Sequence, residues 1–526
     1  MRAEEKIAEL EAEITALKST VAELSALNKW YEEQFRLARH RLYGASSEKT
    51  QASPGQLSLF NEAEIMADQK AAEPEWEQVT AHARKKRVGK RDEFYEGIPT
   101  EQIVHELPQN ERICPECGGD LHACGHEVLR RELEIIPAQV RAVEHVQIVY
   151  SCRDCEKTIA DDAVPMVKSK VPSPVIRGSG VASPSLLAYI LCNKYVLALP
   201  LNRQEQEFAR IGISLSRQTM ANWTIYAANH WLKPIYELLK AVLPQNDILH
   251  ADETTVKVIK EDGRDAKTNS YMWLYRTAGN AKKPVVLYEY QPSRSSGHPL
   301  RFLSGYAGYL QVDGYQGYHS LEPQGVTIVE CWSHARRKFH DALKALDKAD
   351  RPGAAAYTGY EYCNRLFALE RKYDEENLTP DERLVRRLRE SKPIAEAFFH
   401  WAEQTPLGEY FLPKSTFGQA ITYAINQREW LMNVYLDGRL SISNNLAERS
   451  IRPFTIGRNN WLFAYSQKGA HSSAIAYSIV ETAKANSLVP MVYLQYLFTQ
   501  LPNIPQERYV ECLPWTDTIQ LHCKVR

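Results

Sequence analysis

The sequence predicts a multidomain α+β chain, with small helical and cysteine-bearing modules ahead of a larger α/β core. Three observations predict it. Apolar residues repeat in heptads from Ile7 to Ala38, two Cys-x-x-Cys pairs stand at 114–117 and 152–155, and strand-like runs begin near residue 245. A chain of 526 residues exceeds one ordinary core. The 44% hydrophobic and 25% charged content is ordinary for globular proteins. A formal net charge of -1 removes any whole-chain basic signature, so nucleic-acid binding must rest on local clusters. No apolar run approaches the roughly 20 residues of a membrane helix. The first residues are charged and helical in pattern, unlike a secretory signal. Ten cysteines in this length do not suggest a disulfide scaffold, so the expectation is a cytoplasmic protein.

Residues 1–49 read as a leucine-zipper coiled coil. Ile7, Ile14, Val21, Asn28 and Phe35 fall at position a, and Leu10, Leu17, Leu24, Tyr31 and Ala38 at d. Branched residues at a with Leu at d favour a parallel dimer, and a polar residue such as Asn28 fixes its register. Lys6 would face Glu11 across the dimer, and Glu13 would face Lys18. The alternative is one amphipathic helix packed on its own core; the period and the charge match favour the zipper. Residues 50–105 read as a polar linker containing the basic run Arg84, Lys85, Lys86, Arg87, Lys90 and Arg91. That run is either a solvated charge cluster or a phosphate-contacting arm.

Residues 106–165 form the cysteine module. Cys114, Cys117, Cys152 and Cys155 make two knuckles, each aiming two thiolates at one point, which fits one tetrahedral structural Zn²⁺. Short strands over Arg131–Pro137 and Val140–Tyr150 would give a zinc-ribbon-like layout. His122, Cys124 and His126 lie near enough in sequence to substitute as ligands, and free redox-active thiols are the alternative.

Residues 178–240 read as helical, with a helix-turn-helix candidate. Leu201–Arg210 suits the first helix, Gly212 the turn, and Ser216 the cap of a second helix running to Trp223. Arg217, Gln218 and Asn222 would face outward, and such side chains bond base edges or phosphates. A purely structural helical pair reads the same way.

Residues 245–465 carry the core. Strands are expected over Asp247–Ile259, Tyr271–Tyr275 and Val285–Tyr290, then a short helix at Arg301–Leu303, a strand ending at Asp313, and another over Val326–Cys331. The order β-β-β-α-β-α-β is the RNase H-like plan. There the first and fourth strands are neighbours, so Asp252 and Asp313 can converge. A charged helical insertion follows, about 335–430, in which Arg383, Arg386, Arg387 and Arg389 suggest contact with DNA or a second protomer. Ser443 can then cap a short helix that Pro453 stops, bringing Glu448 as the third carboxylate. Such a trio suits two Mg²⁺ or Mn²⁺ ions about 4 Å apart, which stabilise in-line displacement at phosphorus. His334, Arg336, Arg337, Lys338, Arg449 and Arg452 would supply phosphate contacts. The competing readings are a turn role for Asp313 before Gly314 and an ion pair of Glu448 with Arg452.

Four blocks carry a resemblance: His250-Ala-Asp-Glu-Thr-Thr255, Tyr309-Leu-Gln-Val-Asp-Gly-Tyr315, Cys331-Trp-Ser-His-Ala-Arg-Arg-Lys-Phe339 and Asn444-Asn-Leu-Ala-Glu-Arg-Ser-Ile-Arg-Pro453. Together they resemble the IS66 family of bacterial transposases, over nearly the whole chain. The resemblance extends to the zipper, the cysteine module and a C-terminal helical segment within 470–505. It implies a DDE transposase with Asp252, Asp313 and Glu448 as catalytic triad, acting on terminal inverted repeats and target DNA. It also implies a bacterial, nucleoid-associated setting and accessory proteins from the same element. The rival reading is a catalytically silent DNA-binding regulator related to transposases.

Overall fold

The computed structural model describes residues 139–151 and 166–525 except 345, 347–349 and 407–411, together with scattered helical positions between 6 and 35. Cys114, Cys117, Cys152 and Cys155, their possible substitutes and the basic run lie outside the described residues. The chain divides into two compact units, residues 1–62 with 173–525, and residues 63–172.

In the smaller unit the described part is one antiparallel pair, β1 (Val149–Ser151) with β2 (Met166–Lys168), in register Tyr150↔Val167. The strand expected from Val140 begins only at Val149. Val140, Val143, Val146 and Ile148 are all exposed, and among the described residues none pairs with them, which leaves little to hold that stretch extended.

The larger unit opens with helices. The described positions between Lys6 and Phe35 are helical, and Ile14, Leu17, Val21, Leu24, Tyr31 and Phe35 on them are exposed. Helix α1 (Pro184–Tyr195) starts at Ser183, whose hydroxyl accepts from the Leu186 N–H, with Pro184 at the first turn. α2 (Leu201–Arg210) and α3 (Arg217–Ala227) follow as two helices joined by a tight turn, at the positions expected. Gly212 turns the chain at φ +80°, where a side chain would be strained, and Ser216 caps α3 by accepting from Thr219 N–H. α4 (Lys233–Lys240) leads into the sheet.

Five strands form the body of a mixed sheet: β3 (Ile248–Lys260), β4 (Asn269–Thr277), β5 (Val286–Gln291), β6 (Tyr309–Val312) and β7 (Thr327–Glu330). The order is β5-β4-β3-β6-β7. β3, β4 and β5 are an antiparallel meander, whereas β6 and β7 run parallel to β3 after the short helix α5 (Gly297–Phe302). The expected strands, their order and the adjacency of the first and fourth are all present.

The charged stretch after β7 is helical. It comprises α6 (Trp332–Lys344), α7 (Ala355–Glu375), α8 (Pro380–Arg386), α9 (Lys392–Glu403), α10 (Thr416–Asn426) and α11 (Arg428–Met432). These pack around their own core of Trp332, Phe339, Leu366, Phe398, Phe399 and Ile421. The basic residues expected to reach a partner are mostly engaged within this layer. Arg387 is 1% exposed and bonds Glu370 at 2.7 Å, Arg383 pairs with Glu370 and Asp374, and Arg386 pairs with Glu376 and Glu390. Charge on a helix here marks internal pairing, and Arg389 alone of the four is exposed.

α12 (Asn445–Trp461) corrects another expectation: it runs 17 residues, through Pro453. The ring removes one N–H and crowds the Arg449 carbonyl. The helix continues because Ile451, Phe454 and Gly457 are buried against the sheet, and the Tyr288 hydroxyl donates to the neighbouring Ser450 carbonyl. Nor does Ser443 cap it; Asn444 occupies the cap position, with its side chain committed elsewhere. β8 (Ala464–Ser466) then pairs with the far half of β3, and α13 (Gln467–Ala485) and α14 (Pro490–Gln500) complete the main core beside α1 and β5.

Candidate active site

Parallel pairing of β3 with β6 ends at His250↔Gln311. Asp252 and Asp313 each lie two residues beyond that pair. Side chains alternate with period two, so both carboxylates leave the same face, Asp252 from within β3 and Asp313 just past the carboxyl end of β6, where the parallel pairing stops. Open sheets form their ligand crevices at such ends.

The third carboxylate comes from α12. Glu448 sits in its first turn, where negative charge suits the helix dipole. Asn444 fixes that turn against the sheet. Its Nδ2 donates to the Ala251 carbonyl at 2.8 Å, its Oδ1 lies 3.0 Å from His250 Nδ1, and its backbone N–H points at Cys331 Sγ, 3.1 Å away. Gln311 adds a second clamp, donating to the Ser441 carbonyl and accepting from the Ser441 N–H. Arg276 bonds Ser450 at 2.5 Å, and Arg458 bonds Thr254 at 2.9 Å. Glu448 is thereby carried to Asp252 on a rigid helix.

The three carboxylates influence one another. Asp252 is held well above the usual carboxylate range, first by its enclosure and then by the charges of Glu253, Asp313 and Glu448. Glu448 Oε1 is buried without a hydrogen-bond partner. Converging acidic oxygens, one of them orphaned, fit a hard divalent cation. Asp313 also accepts from the Tyr315 N–H at 3.1 Å, so its turn role and its place in the site coincide. Gly314 is required next, because a Cβ there would lie 2.5 Å from the Tyr423 hydroxyl.

Cations ring the cluster. His334 Nε2 is 3.8 Å from Glu448 Oε1, and Arg337 is 3.7 Å from Oε2. Burial opposes charge on His334, but the Cys331 sulfur and the charges of Asp313 and Glu448 outweigh it and hold the imidazole up to about 9. Lys338 lies over the Tyr423 ring at 4.7 Å. Arg449 is exposed beside Glu448, and Arg452 is half-buried. Arg336 departs from expectation: it bonds Tyr360 at 3.3 Å and lies against the Tyr360 and Phe367 rings, inside the helical layer. A helix period of 3.6 separates its direction from that of Arg337.

Sequence reasoning missed Glu253. Its side chain is 2% exposed, with the Arg294 guanidinium on Oε1 and the Tyr318 hydroxyl 2.6 Å from Oε2. Burial first, then Asp313, pushes it up to about 7, against the pull of Arg294 and Tyr318. Arg294 stands 3.9 Å from Asp313 and 3.9 Å over the Tyr315 ring. The adjacent Asp-Glu pair was the signal that could have found it. On the helix pair, Arg217, Gln218 and Asn222 are exposed, with the Arg217 N–H held by Glu205 at 2.9 Å.

A family model described as "Transposase IS66 family" matches residues 179–472, which takes in all three carboxylates. The chain belongs to the IS66 transposase family. Further IS66 models match in order: "Transposase C of IS166 homeodomain" over 30–103, "zinc-finger binding domain of transposase IS66" over 111–156, and "IS66 C-terminal element" over 478–515. The zinc-finger match spans both Cys-x-x-Cys pairs and supports a structural zinc ion. Two relatives from Sinorhizobium fredii (strain NBRC 101917 / NGR234) are similar along most of their length. "Uncharacterized protein y4hP" is 31% identical over 91% of this chain and 86% of its own, and "Uncharacterized protein y4qI" is 28% identical over 96% and 93%. IS66 membership brings a transposase-related, DNA-binding function. Among the described residues, no helix is long and apolar enough to cross a membrane.

Proposed function

We propose that this IS66 family chain is a DDE transposase, cleaving DNA at its element's terminal inverted repeats and joining the freed 3′ ends to target DNA. The observation that carries the proposal is the convergence of Asp252, Asp313 and Glu448 from β3, the end of β6 and the first turn of α12. The strand order and the position of α12 support an RNase H-like core over 245–465, with the helical insertion about 335–430.

Asp252, Asp313 and Glu448 would hold two Mg²⁺ or Mn²⁺ ions, which supply charge neutralisation at phosphorus and activation of the attacking oxygen. The chain does the rest. Asn444 and Gln311 keep the carboxylates in register. His334 and Arg337 face Glu448, and with Lys338, Arg449 and Arg452 they offer positive charge to the phosphodiester backbone. Arg217, Gln218 and Asn222 present polar groups from the exposed edge of a helix-turn-helix within 178–240. Cys114, Cys117, Cys152 and Cys155 would clasp the zinc of the module at 106–165.

Residues 1–49 would pair two copies as a coiled coil, since the exposed apolar stripe from Ile14 to Phe35 needs a partner surface. Transposition joins two ends, which suits a dimer or larger assembly, with accessory proteins of the same element as further partners. Residues 50–105 then act as linker, and 470–505 as a C-terminal helical support. The setting is the bacterial cytoplasm, at the nucleoid.

The test is strand cleavage of DNA carrying the element's own end, in Mg²⁺, with the element's accessory proteins present. Wild-type protein should cut, and Asp252→Ala and Glu448→Ala should bind the end without cutting. Cutting that survives both substitutions overturns the site. Binding by the wild type with no cutting points to a silent regulator.

A further inference from the structure

Glu448 has a second set of neighbours besides the two aspartates. Cys331, at the end of β7, and His334, one turn into α6, bring a sulfur and an imidazole nitrogen to the same carboxylate. One ligand atom from each of the three residues lies within 4.8 Å of the others. Cys331 is 1% exposed, and His334 and Glu448 are half-buried. His334 Nδ1 and Glu448 Oε1 are both enclosed without a hydrogen-bond partner. An enclosed carboxylate oxygen without a partner, beside a buried sulfur and a ring nitrogen, is costly unless something satisfies it. The arrangement is held from outside: the Trp332 N–H donates to the Ile442 carbonyl, and the Asn444 N–H points at Cys331 Sγ.

We propose that Cys331, His334 and Glu448 form a binding site for a thiophilic divalent ion such as Zn²⁺ or Cd²⁺, and that its occupancy withdraws Glu448 from the carboxylate site. A sulfur, nitrogen and oxygen donor set selects borderline and soft ions, whereas the all-oxygen set with Asp252 and Asp313 selects hard ones. Three protein donors leave the fourth tetrahedral position open. A bound ion takes the place of the protons on the thiol and the ring, and its charge stands where Arg337 now approaches the carboxylate. Because one carboxylate serves both sets, the two occupancies compete. That competition rests on the transposase reading; the binding site itself does not.

The experiment uses the full chain and cadmium alone as probe, followed by ¹¹³Cd NMR. A four-thiolate site and a one-thiolate site resonate far apart, so the cysteine module and the proposed site are read separately. Wild-type protein should give a one-thiolate resonance in addition to that of the module. Cys331→Ser and His334→Ala should each remove it while the module's resonance persists, and a thermal unfolding transition matching the wild type's should show that the unit carrying the substitution is folded. In Mg²⁺-supported cutting, cadmium should inhibit the wild type. The cadmium concentration for half-inhibition should rise at least about tenfold in Cys331→Ser, each protein scaled to its own cadmium-free rate. No one-thiolate resonance in the wild type, or one that survives Cys331→Ser, overturns the site. A resonance that behaves as expected while cadmium leaves cutting unaffected overturns the competition. Failure of the wild type to cut, or cutting without Glu448, instead overturns the active-site reading and leaves the cadmium result standing.

Discussion

His250 and Asn444, 194 positions apart, meet inside the protein with Nδ1 3.0 Å from Oδ1, and this contact joins the central strand to the helix that bears Glu448. Asn444 Nδ2 already donates to the Ala251 carbonyl, so Oδ1 is the acceptor and His250 carries its proton on Nδ1. Burial, the largest influence, holds the imidazole down at about 4, so the ring is neutral at ordinary pH and this tautomer persists.

Asn444→Ala removes both side-chain links at once. It leaves a buried ring N–H and a buried carbonyl without partners, which costs about 2–4 kcal/mol of stability. The larger effect should be on cutting. A carboxylate displaced by roughly 1 Å loses about a hundredfold in rate. We expect end binding to persist in gel-shift assays while single-turnover cleavage falls by about that factor. Cleavage at the wild-type rate would remove Asn444 from the positioning role.

Glu253 and Asp252 are chain neighbours with different duties. Both oxygens of Glu253 are engaged, one by Arg294 and one by Tyr318, whereas Asp252 accepts from the neighbouring Glu253 N–H. Glu253→Gln should therefore retain cutting within about tenfold, and Asp252→Asn should lose about a thousandfold or more. Arg294→Ala should be worse for stability than Glu253→Gln, because it strands a buried carboxylate. Thermal unfolding and cleavage rates measured on the three variants decide this, and equal loss of cutting in Glu253→Gln and Asp252→Asn would make Glu253 a fourth member of the site.

The strands and the aspartate pair were legible because both depend on period and order. Alternating apolar residues specified β3 to β7, and the parallel register then dictated that Asp252 and Asp313 share a face. Glu448 was legible only through its place on a helix after the sheet. The parts that escaped depend on distant partners. Pro453 reads as a stop, yet Tyr288 and the buried Phe454 keep the helix going. Arg383, Arg386 and Arg387 read as a basic face, yet their acids lie up to 17 residues away in sequence. Asn444 reads as an ordinary turn residue until Ala251 and Cys331 arrive beside it.

Arg387 tests the helical layer directly. Its guanidinium meets both oxygens of Glu370 at 2.7 Å in a buried setting. Arg387→Met should destabilise by about 3–5 kcal/mol, since it leaves that carboxylate partly uncompensated. Adding Glu370→Leu should recover much of the loss, because apolar packing replaces a buried pair at little net cost. Arg389→Glu, on an exposed position, should change stability by no more than about 0.5 kcal/mol. Chemical denaturation of the four proteins measures these differences; a null effect for Arg387→Met would mean that water reaches the pair.

Glu289 supplies the pH dependence of stability. It lies on β5 away from the carboxylate cluster, and its Oε2 is buried without a partner. Burial first pushes it up to about 7 from an ordinary 4.5, although Gln291, Lys240 and Arg301 pull the other way. Between those two values the folded protein keeps a proton that the unfolded chain has released. Stability therefore falls as pH rises from 4.5 through 7, and the loss is complete above 7. Its full size is about 3 kcal/mol, from 1.36 kcal/mol for each unit of pKa displacement. Glu289→Gln keeps the shape of the protonated acid without the charge. The variant should match the wild type near pH 5, exceed it by up to that amount at pH 8, and show a flatter profile of unfolding free energy between them. Parallel profiles for the two proteins would mean that Lys240 and Arg301 already compensate the carboxylate in full.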